Sequence, residues 1–138
     1  MHVNAIATAA GTADWIFRIN ERREFVEGWS DADSPETDYL GFRKVFTNWG
    51  SDSLNILRER SAVYWADQIG APVLLMHSRQ DNRVECEHSL RLANQLQIFK
   101  KEYALIVYDE PSHSLPFRYF DSYDQMFKWF NKHKVLHN

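Results

Sequence analysis

The 138 residues are 44% hydrophobic and 14% aromatic, apolar material for one buried core and one domain spanning 1–138. A formal charge of −3, from 16 basic against 19 acidic residues scattered along the chain, leaves no basic stripe of the kind that tracks phosphates, so nucleic acid is not an expected partner. No apolar run approaches the roughly eighteen residues a bilayer span requires, Met1-His2-Val3-Asn4-Ala5-Ile6 does not read as a signal peptide, and the single cysteine, Cys86, allows no internal disulfide; the expectation is a soluble cytoplasmic protein with no membrane partner.

The first predicted element is a strand, Val3 to Ala9. From about Asp14 to Ile69 the sequence is richer in charge and aromatics, with turn signals at Asp33-Ser34-Pro35 and Asn48-Trp49-Gly50-Ser51, and two or three helices are expected there, the clearest over Ser53 to Ser61. A second strand is expected over Pro72 to Met76. After it, Cys86, Leu90, Ala93 and Leu96 recur at helical spacing, with Glu85 and Glu87 in the first turn, where the helix dipole favours acids. Tyr103 to Tyr108 reads as a third strand. The closing segment places Phe120, Tyr123, Phe127 and Phe130 on one face of an amphipathic helix, which is expected to pack that face across the sheet. The three strand runs are continuous rather than alternating, which suits a parallel sheet covered on both faces, and each leads into helical sequence; the class is α/β.

In open parallel sheets the loops beyond the carboxyl ends of the strands share one rim, and chemistry collects there. Two loops qualify: His77-Ser78-Arg79-Gln80-Asp81-Asn82-Arg83-Val84 and Asp109-Glu110-Pro111-Ser112-His113-Ser114. On neighbouring strands, about 4.8 Å apart, Asp81 and His113 come within hydrogen-bond reach. A carboxylate there accepts Nδ1–H of the imidazole, fixes its tautomer and leaves Nε2 free to take a proton from a hydroxyl. Residue types alone leave plainer readings open, with Asp81 capping a turn and His113 a surface histidine. His77, Asp81, Cys86, His88 and His113 match no zinc or facial-triad spacing, so neither a metal nor another cofactor is expected. His77 is expected to pack at a strand end, His88 to lie on an exposed helix face, and Arg79 and Arg83 to be solvated.

The wording of these segments is more specific. Ala71-Pro72-Val73-Leu74-Leu75-Met76-His77, then Asp81-Asn82-Arg83-Val84 and Ser89-Leu90-Arg91-Leu92-Ala93, resembles the acid-bearing stretch of the prolyl oligopeptidase family of serine peptidases. Tyr108-Asp109-Glu110-Pro111-Ser112-His113-Ser114-Leu115 resembles its histidine loop, and Met126-Phe127-Lys128-Trp129-Phe130 its closing helix. Ala9-Ala10-Gly11-Thr12-Ala13-Asp14-Trp15 and Arg60-Ser61-Ala62-Val63-Tyr64-Trp65-Ala66 are similar to segments that lie between nucleophile and acid in that family. The resemblance implies a partial α/β-hydrolase fold of about three parallel strands flanked by helices, with Asp81 as triad acid and His113 as general base. Ser78 stands where the family has glycine.

The family's nucleophile stands on a strand-to-helix turn written Gly-x-Ser-x-Gly, and that pattern occurs nowhere in these residues. Gly28-Trp29-Ser30 is continued by Asp31-Ala32-Asp33 rather than glycine, which makes Ser30 a poor substitute. The resemblance therefore implies a hydrolase-like domain that is inactive alone and acts on a peptide or ester only if a nucleophile is supplied. The alternatives are a non-catalytic interaction module and, third, a small hydrolase recruiting Ser78 or Ser112. Without its usual neighbour, the strand Val3 to Ala9 presents an open sheet edge, through which a homodimer or an N-terminal hydrolase fragment is expected to associate.

Overall fold

The computed structural model describes residues 3–21, 42, 44–113 and 115–134. Their elements run β1 (Ile6–Ala9), α1 (Trp15–Glu21), α2 (Trp49–Glu59), two 3₁₀ turns (Ala62–Tyr64 and Ala66–Gln68), β2 (Val73–Ser78), α3 (Glu87–Ile98), β3 (Tyr103–Tyr108), a 3₁₀ turn (Pro116–Arg118) and α4 (Tyr119–His133). The three strands form one parallel sheet in the order β1-β2-β3. Val73 lies opposite Ile6 on one side and Tyr103 on the other, and the register continues to Ala9 opposite Met76 and Ser78 opposite Tyr108.

Only β2 is buried along its whole length, as the central strand of a covered sheet must be. Its residues divide between two cores because successive side chains point to opposite faces. Val73 and Leu75 join Ala66, Leu92, Ala93 and Leu96 under α3, while Leu74 and Met76 join Tyr108, Leu115 and Trp129 under α4. A third cluster, Ile19, Trp49, Ile56 and Leu57, joins α1 to α2. The N-terminus of α1 is capped by Asp14, whose Oδ1 accepts the N–H of Phe17 at 2.9 Å. Its Oδ2 takes both Nε and Nη2 of Arg91, at 3.1 and 2.9 Å, a two-pronged bond that ties α1 to α3.

Several expectations are corrected. The first strand spans Ile6–Ala9 rather than starting at Val3, because pairing with β2 begins at Ile6. The turn expected at Asn48-Trp49-Gly50-Ser51 is already helical from Trp49, and the break falls at Asp52, whose backbone is non-helical. In α3, Leu90 points outward and His88 is fully buried, the reverse of the expected faces. His88 is admitted because Nδ1 accepts the N–H of Asp14 and Nε2 lies 3.4 Å from Glu85. Helix α4 presents Ser122, Met126 and Trp129 to the sheet, and Phe120, Tyr123, Phe127 and Phe130 face away from it. The turn at Asp33-Ser34-Pro35 and the segment Gly28-Trp29-Ser30 lie outside the described residues.

Candidate active site

Both rim loops leave the sheet on the same side, and the backbone keeps them paired beyond the strands. The N–H of Arg79 donates to the Tyr108 carbonyl at 2.8 Å and that of Gln80 to the Glu110 carbonyl at 3.3 Å. The hydroxyl of Ser78, fully buried, donates to the same Glu110 carbonyl, so this side chain stitches one loop to the other. That bond commits Ser78 and removes it from the surface. Ser112 donates to Glu110 Oε1 at 3.1 Å.

The acid loop turns back on Asp81. Oδ1 accepts the backbone N–H groups of Arg83 and Val84, at 2.9 and 3.0 Å, which shapes the turn into α3. Oδ2 is left for His113, whose Nδ1–H donates to it at 2.8 Å. The plain capping reading of Asp81 and the pairing reading are therefore both true of one carboxylate, with one oxygen for each. Burial by itself pushes the Asp81 carboxyl up, but hydrogen bonds from His77, Val84, Arg83 and His113 outweigh it and hold it at about 2. Asp81 is thus an anion at neutral pH, buried against the ring it orients. The His113 side chain is 28% exposed, and with Nδ1 taken by the acid its Nε2 is the nitrogen left for chemistry.

His77 does more than the strand-end packing expected of it. It is wholly buried in β2, and the Val84 carbonyl, which can only accept, takes Nε2–H at 2.8 Å. Nδ1 then accepts the Ser89 hydroxyl at 2.7 Å, and Nε2 also lies 3.4 Å from Asp81 Oδ2. The ring braces the acid loop from beneath and fastens it to α3. The signal for this was present: a polar ring inside an aliphatic, fully buried strand needs two partners. Glu85 completes the underside; burial raises its carboxyl, while His88, its own backbone and the Arg18 charge lower it by more, leaving it below the usual range.

Arg79 and Arg83 are exposed at the rim, as expected. Among the described residues no group of three or more His, Cys, Asp or Glu is arranged to hold a metal ion, and no helix is long and apolar enough to cross a membrane. What the site can do chemically is hold a partly exposed imidazole in one tautomer against a buried carboxylate, with the opposite nitrogen not engaged by that acid.

Comparison with known proteins places these features in context. Residues 4–135 match the family model described as prolyl oligopeptidase family. A search of curated protein sequences finds no match. Among solved structures, a Pyrococcus horikoshii acylaminoacyl peptidase superposes with a TM-score of 0.69 at 20% identity, over 99% of this chain and 21% of its own. Porphyromonas gingivalis dipeptidyl peptidase 4 gives 0.68 at 16% identity, over 95% and 16%. A Mycobacterium tuberculosis puromycin-hydrolyzing peptidase gives 0.64 at 22% identity, over 94% and 18%. At these identities the likeness speaks for the fold, a sheet of three parallel strands flanked by helices as in part of an α/β-hydrolase, and the chain spans about a fifth of the length of those peptidases.

Proposed function

The chain belongs to the prolyl oligopeptidase family, and on that premise we propose that Asp81 and His113 form the acid–base half of a serine-type acyl-transfer site. The observation that carries the reading is the 2.8 Å bond from His113 Nδ1 to a carboxylate held ionised. In this reaction His113 Nε2 takes the proton of a serine hydroxyl as it attacks an amide or ester carbonyl and then passes that proton to the leaving group. Asp81 stabilises the imidazolium formed between those steps. The substrate class is peptides or aminoacyl esters, by analogy with the family.

The serine comes from a strand–turn–helix unit seated beside β1, either elsewhere in the same polypeptide or on a second one. Two features support this. Among the described residues β1 has a neighbour on one side only, so its other edge is open to a further parallel strand. A strand leading into β1 steps across the sheet in the same sense as β2 into β3, and right-handed crossover then puts its helix on the face covered by α3. On that face, next to β1, lies an apolar groove of about 240 Å³ lined by Ile6, Thr8, Ala62, Ile69, Val73 and Leu92. A second reading, a binding module without chemistry, is favoured by the lack of Gly-x-Ser-x-Gly in the sequence.

The polarity of the pair is tested by nitrogen-resolved NMR of the histidine ring at about pH 8, above the ordinary imidazole pKa. His113 is expected with its proton on Nδ1. Asp81→Asn keeps one oxygen for the two backbone N–H groups and turns its NH₂ toward the ring, so the proton should move to Nε2; a ring that keeps its tautomer would refute the role given to Asp81. Fluorophosphonate is expected to leave the chain unlabelled, since Asp and His supply no acyl acceptor. Stoichiometric labelling of one of its serines, lost in His113→Ala, would show that the nucleophile lies within these residues.

A further inference from the structure

On its α3 face, β2 interrupts an aliphatic surface with one imidazole. Val73 and Leu75 point into the core under α3, and His77, two residues on, points the same way and is fully buried. Fastening the acid loop to α3 accounts for two of its contacts: Nδ1 accepts the Ser89 hydroxyl at 2.7 Å, and Nε2–H goes to the Val84 carbonyl at 2.8 Å. A third contact, 3.4 Å from Nε2 to Asp81 Oδ2, adds nothing to that fastening. We propose that His77 is a positioning residue of the acid–base pair, sharing its Nε2–H between the Val84 carbonyl and the same Asp81 oxygen that receives His113, and so limiting how strongly that oxygen holds the His113 ring. This rests on the reading of Asp81 and His113 as acid and base.

The ring's own partners fix the direction of the donation. The Val84 carbonyl can only accept, so the hydrogen sits on Nε2, and Nδ1 is left to accept from Ser89. One N–H shared between two acceptors makes a three-centre bond, here with a short branch to Val84 and a long one to Asp81. The carboxylate is thereby met by four N–H groups. The backbone of Arg83 and Val84 reaches Oδ1 at 2.9 and 3.0 Å, and His113 and His77 reach Oδ2 at 2.8 and 3.4 Å. Each donor stabilises the anion and makes it a weaker base, which offsets the upward push of burial and holds the carboxyl at about 2.

Two donors on one oxygen compete. What His77 draws from Oδ2 is withheld from His113, so the bond between His113 and Asp81 is weaker than the same geometry would give with an apolar residue at position 77. A base held less tightly passes its proton on more readily, as acyl transfer requires at the leaving group. A ring that only braced the loop would act in the opposite sense, because its removal would loosen Asp81 and weaken the same bond.

The test is NMR of the histidine rings and the Asp81 carboxyl carbon in the whole chain, with circular dichroism to verify that each variant is folded. Wild-type His77 is expected with its proton on Nε2; a proton on Nδ1 would abolish the donation and overturn the proposal without any variant. In His77→Leu the Nδ1–H resonance of His113 should move downfield, and Asp81 should titrate about one unit higher, a tenfold gain in proton affinity. His77→Gln, which carries an NH₂ toward both acceptors, should return both readings to near the wild type. Ser89→Ala, which loosens the fastening without touching the shared oxygen, should leave both unmoved, and it carries the test beside the wild-type tautomer if His77→Leu does not fold. Arg18, Arg79, Glu85, Cys86, His88 and Glu110, the other titratable or charged groups on the elements around the pair, are the same in every variant. An upfield or absent shift in His77→Leu, or any shift in Ser89→Ala, overturns the proposal. Loss of the Nδ1 proton from wild-type His113 would instead overturn its pairing with Asp81, so the two failures are distinguishable.

Discussion

Replacing Asp81 by asparagine should make the protein's acid sensitivity differ from the wild type in a calculable way. The variant keeps an oxygen for the N–H groups of Arg83 and Val84, so the loop retains its shape while its charge is gone. In the wild type, burial raises the carboxyl and the bonds from His77, Val84, Arg83 and His113 lower it further than burial raises it, to about 2 against 3.8 for the free group. A carboxyl depressed in the folded state stabilises it fully above its unfolded value, and that stability is lost as pH falls through the folded value. The window is therefore about pH 4 down to about pH 2, and the quantity at stake is about 2 kcal/mol. Urea unfolding of both proteins at steps across this range isolates Asp81, since every other acid is common to the two. The stability gap between wild type and Asp81→Asn should narrow by about 2 kcal/mol between pH 5 and pH 2. A gap that stays constant with pH would mean that Asp81 is not held as a buried, hydrogen-bonded anion.

Three other outcomes are expected. Lys100 sits at φ 54° just beyond α3, where the N–H of Lys101 reaches the Leu96 carbonyl and that of Lys100 the Gln97 carbonyl, so Lys100→Gly should relieve left-handed strain and raise stability by about 1 kcal/mol, read as a rise of a few degrees in Tm. Trp129→Ala removes the largest side chain of the core under α4 and should cost about 3–5 kcal/mol in a denaturant melt, against less than about 1 kcal/mol for Phe120→Ala on the outer face. Burial, with the charges of Glu87 and Asp81, pushes the Cys86 thiol up, so iodoacetamide at neutral pH should modify it more slowly than a free model thiol, and raising the pH should speed the reaction.

The strands were legible because a parallel sheet writes itself as unbroken aliphatic runs, and Tyr103–Tyr108 was read to the residue. Adjacent strands fix where their rim loops emerge, which made a meeting of Asp81 and His113 conceivable, but it was the resemblance to the prolyl oligopeptidase family that singled the pair out. Helix faces were not legible. Periodicity announces that α4 has an aromatic stripe but is silent on which side meets the sheet, and Trp129 with Met126, less conspicuous in the sequence, took the inner position. His88 was assigned to solvent because its partners, the Asp14 backbone and Glu85, belong to segments whose approach depends on the whole packing. A polar ring inside an aliphatic strand signalled that His77 needs partners, but which groups satisfy it, and that Ser78 bonds the Glu110 carbonyl across to the other loop, no local pattern foretells.

The Ser78 bond to the Glu110 carbonyl has a mechanical corollary. It joins two loops that carry opposite ends of a proton-handling pair, so a disturbance at either loop is transmitted to both and the spacing between acid and base is conserved under strain. The pair and this bond lie within the strand–helix–strand stretch from Val73 to His113, and Arg18 of α1 adds a further tie, its guanidinium donating to the Arg83 carbonyl at 3.0 Å. The acid and base are thus fastened to each other by loop-to-loop bonds as well as by the strands that carry them.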